Sequence, residues 1–290
     1  MTPADLYKKY VLEEINYRTG LYHPVKSNLL QRLFTKMMKP QKLEPNPEDE
    51  FSISSVGPNW EIVKNYEDKI RFNLMGGLKI FDEPLYIVRL DKGGYMLLNG
   101  HHRWLAALVV KLKKVPVKLT NITQEADVYK AINKSKRDKC VSIDFDEILL
   151  ATESVLSENV QLFFPLNKIY KEKIRENTAL LTKELNRMGY DVWVYTGSYL
   201  SYNHIKSLFL LYGCKVDGIV NGLKMKGKSA KLKDIFRNKY KTIVHLNNDY
   251  ITCVDTKSRE YEMIELDADI REWAVSVVNK LKKYEKGITE

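Results

Sequence analysis

Asp144 and Asp146 close the apolar run that begins at Cys140, two carboxylates one residue apart at the mouth of an expected strand. Side chains at positions i and i+2 leaving a strand reach one pocket, so Asp144 can attack phosphorus while Asp146 gives and takes a proton. An ionised carboxylate repels a phosphoryl group, and this chemistry therefore calls for Mg²⁺ between Asp144, the phosphate and further oxygen ligands. A second strand delivers Thr196, Gly197 and Ser198, a hydroxyl followed by backbone N–H groups suited to phosphate oxygens. A lysine must offset the charge gathered there; Lys228, just before an expected helix, is best placed and Lys226 is second. A separate constellation, Asn99-Gly100-His101-His102-Arg103, sits between a strand and a helix. Its glycine lets backbone approach an anion, the helix start carries positive potential, and Arg103 can hold a phosphate with two parallel hydrogen bonds.

The elements that must position these groups fall into two sets. Residues 1–75 read as helical and irregular, with a helix near 27–38 and a Pro-rich connector at 40–48. A hairpin follows, Leu85 to Leu90 and Tyr95 to Leu98 around Lys92-Gly93-Gly94. Next come an apolar helix from Trp104 to Val110, a strand from Val115 to Leu119 and a helix over 124–138, with the domain boundary near 138. The remainder alternates in the manner of a parallel α/β sheet. Its strands are Cys140 to Asp144, Val192 to Tyr195, Val216 to Val220 and Lys241 to Leu246; its helices cover 172–188, 200–212 and 229–239. A peripheral hairpin at 250–266 and a closing amphipathic helix at 268–284 complete it. Trp104 and Trp193 lie in apolar runs and read as core residues, while His204 and His245 read as structural.

Composition sets the outer limits. A chain of 290 residues exceeds a comfortable single core, and 44% hydrophobic with 29% charged residues is ordinary for a folded protein. Three scattered cysteines make neither a disulfide ladder nor a zinc pattern, no apolar run is long enough to span a bilayer, and the start carries no signal pattern. The expectation is a cytoplasmic protein without a membrane partner. The net charge of +10 favours phosphorylated small molecules, nucleotides or nucleic acid.

Asp-x-Asp after a strand, Thr196 after the next, Lys228 before a later helix and an acidic turn after the fourth strand together resemble the haloacid dehalogenase (HAD) superfamily over about 140–290. The resemblance implies a Rossmann-like parallel sheet, an aspartyl-phosphate on Asp144, Thr196 and Lys228 on the phosphate, and Mg²⁺ held by Asp144, Asp146 and Asp249. One departure is that the fourth strand runs into Asn247-Asn248-Asp249, where relatives normally supply one or two aspartates. The interval between Asp144 and Thr196 has no room for a large cap.

The segment at 99–103, with its flanking strand and helix, resembles the ParB/sulfiredoxin superfamily over about 83–119. It implies an α+β domain that binds ATP, ADP or CTP through Asn99, Gly100, His101, His102 and Arg103. His101 stands where sulfiredoxins carry a catalytic cysteine, and the turn is closer to the Asp-Gly-His-His-Arg of free-serine kinases, with Asn99 for Asp. The resulting expectation is a two-domain α/β enzyme, 1–138 and 139–290, performing Mg²⁺-dependent phosphoryl transfer or phosphate hydrolysis. Two rival readings are a small-molecule kinase whose second domain is a silent scaffold, and a nucleic-acid-binding regulator.

Overall fold

Residues 1–14, 23–152, 155–222, 228–266 and 271–287 are described by the computed structural model, in which the chain divides between Ile122 and Thr123. The boundary therefore falls earlier than the expected 138. The helix Glu125–Ile132 buries Val128 and Ile132 with Trp193, Leu232 and Phe236, so its apolar face belongs to the second unit.

The first unit is a mixed sheet with helices packed against it. Its strands are β1 (Pro24–Val25), β2 (Lys36–Met38), β3 (Leu43–Pro45), β4 (Leu85–Leu90), β5 (Tyr95–Asn99) and β6 (Val115–Leu119). They run in the order β2-β6-β4-β5-β3, with β1 on the end of β4. The expected hairpin is β4 and β5, paired antiparallel. The long helix expected near 27–38 is shorter, Leu29–Leu33, because Lys36–Met38 instead pairs antiparallel with β6. Inter-strand hydrogen bonds there replace helix propensity, an instance of tertiary context overriding a local pattern. The helix His101–Val109 buries Trp104, Leu105, Ala106 and Ala107 against Leu85, Ile87, Leu97 and Val117. Trp104 donates its Nε1–H to the Pro40 carbonyl at 2.9 Å, which satisfies the one polar atom of a fully buried ring.

In the second unit the strands are β7 (Lys139–Asp144), β8 (Tyr190–Thr196), β9 (Gly218–Asn221), β10 (Thr242–Leu246), β11 (Tyr250–Asp255) and β12 (Tyr261–Glu265). The sheet order is β12-β11-β10-β7-β8-β9; β10, β7, β8 and β9 are mutually parallel, and β11 and β12 form the antiparallel hairpin. The β-α-β alternation read from sequence is thus a parallel sheet with its first strand, β7, at the centre. Near-continuous apolar strands such as Val192 to Val194 are what a sheet covered on both faces requires. Gly218 must lack a side chain, since a Cβ there would lie 2.1 Å from the Trp193 ring.

The helix expected over 172–188 begins later, at Thr178, and ends at Arg187. Ile174 and Arg175 are instead extended, bridged to Leu150 and Ser157. At the end of the sheet away from the aspartates, Arg137 Nη1 donates to Asn186 Oδ1 (2.8 Å), the Tyr190 carbonyl (2.9 Å) and Asp191 Oδ1 (3.1 Å). Asp191 is buried and also accepts from Ser135 and Tyr240. No helix among the described residues is long and apolar enough to cross a membrane.

Candidate functional site

Register brings the expected chemistry to one edge of the second sheet. Asp144 ends β7 opposite Tyr195 of β8, so Thr196 follows beside it, and Ile143 pairs with Leu246 of β10, so Asn247 emerges on the other side. All three strands present their C-terminal ends there, the edge where open α/β sheets place ligands. A single π-helical turn, Phe145–Leu149, carries the chain away from β7. Phe145, Ile148 and Leu149 are all buried, and each such side chain contributes about 1.5–3 kcal/mol, so the backbone bearing both aspartates is anchored by the core.

The two carboxylates have different surroundings. Asp144 caps the π-turn, one oxygen accepting from the Glu147 N–H at 2.9 Å. Asp146 is held by the neighbouring strand: its Oδ2 accepts from Thr196 Oγ1 at 2.7 Å and from the Gly197 N–H at 3.0 Å. Thr196 is fully buried; its hydroxyl also lies 2.8 Å from Ser198 Oγ and accepts from the Ser198 N–H at 2.9 Å. The Thr196 hydroxyl and Gly197 N–H expected to cradle phosphate are thus turned inward to fix Asp146, and the Ser198 N–H is spent on Thr196. An anion-binding turn and a carboxylate-binding turn use the same donors, and here the carboxylate lies within the fold.

The expected magnesium set is not assembled. Asp146 Oδ2 is committed to Thr196 and Gly197, and among the described residues no group of three or more His, Cys, Asp or Glu side chains stands where one ion could be held. Asp249 instead lines a neighbouring cleft with Asn247 and Asn248. These residues do not fit a three-carboxylate cage from Asp144, Asp146 and Asp249. Lys228 opens the helix Lys228–Lys239, but its side chain, like the whole of Lys226, lies outside the described residues.

Unexpected from sequence is Asn221 at the end of β9. Its carboxamide accepts from the Thr123 N–H (2.6 Å) and donates to the Leu200 carbonyl (2.7 Å), which ties the unit's first residue to the loop after β8. No local pattern marks Asn221, because both partners are remote in sequence.

In the first unit the Asn99–Arg103 turn is built by packing. Gly100 has φ +93°, and a Cβ there would lie 2.6 Å from Leu85 Cδ2 and 3.0 Å from Arg103 Nη2, so the space beside it is filled by protein. Asn99 pairs with Tyr86 at the end of β5. The histidines are acceptors for backbone: His101 Nε2 takes the Asn46 N–H at 3.3 Å, and His102 Nε2 the Asn59 N–H at 3.0 Å. An imidazole accepting an N–H is neutral, so these rings do not supply the positive charge expected for phosphate. Arg103 donates through Nη1 to the Glu83 carbonyl at 2.8 Å and lines a cleft of about 280 Å³ with Tyr66, Lys69, Phe81, Asp82 and Glu83. Lys69 and Asp82 form an exposed ion pair at its rim.

Burial, partly opposed by Asp49, pushes His101 down to about 4 from an ordinary 6.5. With the folded value below the unfolded one, the unfolded chain binds more protons between about pH 4 and 6.5, and stability rises with pH across that window. Acidification from 6.5 to 4 should therefore remove about 3 kcal/mol from the first unit, at about 1.4 kcal/mol per pH unit. Urea unfolding followed by tryptophan fluorescence should show this slope and its reduction in His101→Gln, with a remainder from His102, which burial also pushes down; the same slope in the variant would exclude His101 as its source.

No family model and no curated protein matches the chain. Among solved structures it is similar to the C-terminally truncated chromosome-partitioning protein ParB from Caulobacter crescentus, complexed with CTP-gamma-S. The identity is 20% and the TM-score 0.25, over 36% of this chain and 56% of that chain. The match spans little more than half of the ParB chain, and an overlap this small carries neither its architecture nor its ligand across. The fold and sites described above define a two-unit α/β protein with an aspartate pair at the edge of a parallel sheet.

Proposed function

We propose that the second unit is a HAD-like phosphotransferase or phosphatase acting through Asp144. The observation that carries this reading is the division of labour between the aspartates: Asp146 is locked by Thr196 and Gly197, whereas Asp144 is fixed by one N–H and keeps an oxygen for attack. Asp144 attacks the phosphorus of a monoester and forms an aspartyl-phosphate. The P–O bond to the leaving group breaks, and Asp146 supplies the proton that the departing oxygen takes up. Water then attacks the aspartyl-phosphate while Asp146 takes its proton, which releases inorganic phosphate and restores both carboxyl groups. The sheet order, with β7 central and β8 and β10 beside it, supports this assignment.

The test is p-nitrophenyl phosphate turnover by the full chain in Mg²⁺-containing buffer. Thr196→Val should lower kcat by about tenfold to a hundredfold with KM little changed, because positioned proton transfer contributes about 10²–10⁴ and Gly197 still holds part of Asp146. Thr196→Ser should restore most of the rate. Wild-type protein without turnover, or Thr196→Val at wild-type kcat, would overturn the reading.

For the first unit a second reading follows from the cleft that Arg103 lines, where Lys69 is already paired with Asp82 and Arg103 is the cation without a carboxylate partner among the described residues. We propose that it binds the phosphates of a nucleotide there, with Arg103 rather than His101 or His102 as the main cation. Calorimetric titration with ATP, ADP and CTP should show binding that is lost in Arg103→Met and kept in His102→Gln. Binding of duplex DNA or RNA with a steep salt dependence, and of no nucleotide, would favour a nucleic-acid-binding role instead.

A further inference from the structure

Beside the aspartate edge lies a cleft of about 390 Å³, bordered by Glu147, Asn247 and Asp249. Arg175 and Trp273 line it as well. The Arg175 guanidinium stacks over the Trp273 ring, 4.1 Å from its centroid, and the ring is fixed by its own Nε1–H donating to the Glu176 carbonyl at 2.9 Å. The Arg175 backbone is fixed too, its N–H donating to Leu149 and its carbonyl accepting from Thr178 Oγ1. The side chain itself is uncompensated: Nε is buried with no hydrogen-bond partner, and among the described residues no carboxylate forms an ion pair with it. Stacking engages the face of the guanidinium and not its N–H edge, Arg175 lines the cleft, and a guanidinium edge matches a planar or tetrahedral oxyanion.

Glu147 and Asp249 share the cleft, so an additional anion alone would meet a lining with two negative charges and one positive. A group carrying an anion and a cation together meets complementary charge at both ends. We propose that this cleft recognises the non-reacting end of the phosphoester and that this end is a zwitterion, its carboxylate on Arg175 and its ammonium against Glu147 and Asp249. The inference rests on the phosphotransfer reading of Asp144, and it names the substrate class as phosphorylated amino acids or molecules with the same charge pattern. Arg175 then acts as a specificity-determining residue.

Three phosphomonoesters of similar size isolate the two charges: O-phosphoserine, 3-phosphoglycerate (no ammonium) and phosphoethanolamine (no carboxylate). The wild-type chain should prefer O-phosphoserine over each of the others by about tenfold or more in kcat/KM. Arg175→Gln should collapse the phosphoserine-to-phosphoethanolamine preference to about one, and Arg175→Lys should restore only part of it because the stacked, forked geometry is lost. Equal rates for all three in the wild type, or a uniform loss on all three in Arg175→Gln, would overturn the proposal and leave Asp144 untouched. Should none of the esters, nor p-nitrophenyl phosphate, be turned over, the phosphotransfer reading fails separately. Calorimetric binding of O-phosphoserine to Asp144→Asn protein then decides: binding that Arg175→Gln weakens about tenfold supports the cleft, and its absence removes it.

Discussion

Replacing Asp144 with asparagine should abolish phosphomonoester turnover, a fall of at least about a thousandfold in kcat. The expected size follows from the role. An attacking carboxylate oxygen supplies a covalent step for which a carboxamide has no substitute, and a thousandfold loss corresponds to about 4 kcal/mol of barrier. The substitution is nearly isosteric, and the side-chain oxygen that accepts from the Glu147 N–H is retained, so the π-turn keeps its cap. Unfolding midpoint and phosphate affinity should therefore stay close to wild type while the rate disappears. The asymmetry of the site also predicts a contrast. Asp146→Asn should slow both steps but leave a measurable rate with activated aryl esters, whose leaving groups need little proton donation. Turnover by Asp144→Asn within tenfold of wild type would show that this carboxylate is not the nucleophile, whatever Asp146 does.

The largest expected change in stability lies at the opposite end of the same sheet. Arg137→Met keeps the aliphatic stem but strips a shared donor from Asn186, Tyr190, Asp191 and Asp217, and should destabilise the second unit by about 3 kcal/mol. The figure sits at the low end of the cost of breaking a buried pair, because Asp191 keeps its hydrogen bonds from Ser135 and Tyr240. Lysine at 137 should recover less than half, since one ammonium does not reproduce a guanidinium's reach to divergent acceptors. The pH dependence provides a second readout. Burial raises the Asp217 carboxyl above its ordinary range, Asp191 adds to the effect, and Arg137 opposes it. Its folded value therefore exceeds the unfolded one, and the folded state binds the extra proton, so this group's contribution falls as pH rises above about 4. Removing Arg137 should widen that fall, making the penalty larger at pH 7 than at pH 4.5. Urea midpoints at the two pH values measure both; a loss below about 1 kcal/mol, or one independent of pH, would mean that Asp191 and Asp217 are compensated without Arg137.

Much of the second unit was legible in its sequence. The apolar runs at 140–144, 192–195 and 241–246 each contain the core of an observed strand, and Asp144, Asp146 and Thr196 do emerge from neighbouring strand ends. Strand and helix periods are local properties, and an i, i+2 pair leaving a strand needs no distant information to be placed at its mouth. Trp104 and Trp193 were core residues on the same local grounds, and both are buried.

Which hydrogen bond each polar group makes was decided only by the tertiary structure. Thr196 and Gly197 could have faced a phosphate or a carboxylate, and Asp146, brought from β7, took them. His101 and His102 could have been cations or acceptors, and the Asn46 and Asn59 N–H groups made them acceptors. Asp249 could have joined a metal cage, but the turn after β10 sends it to the cleft wall instead. The sequence by itself determined the alternation of elements and the residue types available at the sheet edge, because both follow from short-range patterns of apolarity and backbone preference. Folding decided the partner of each donor and acceptor, the boundary at Ile122, and the meeting of Arg175 with Trp273, because these depend on contacts between segments far apart in the chain.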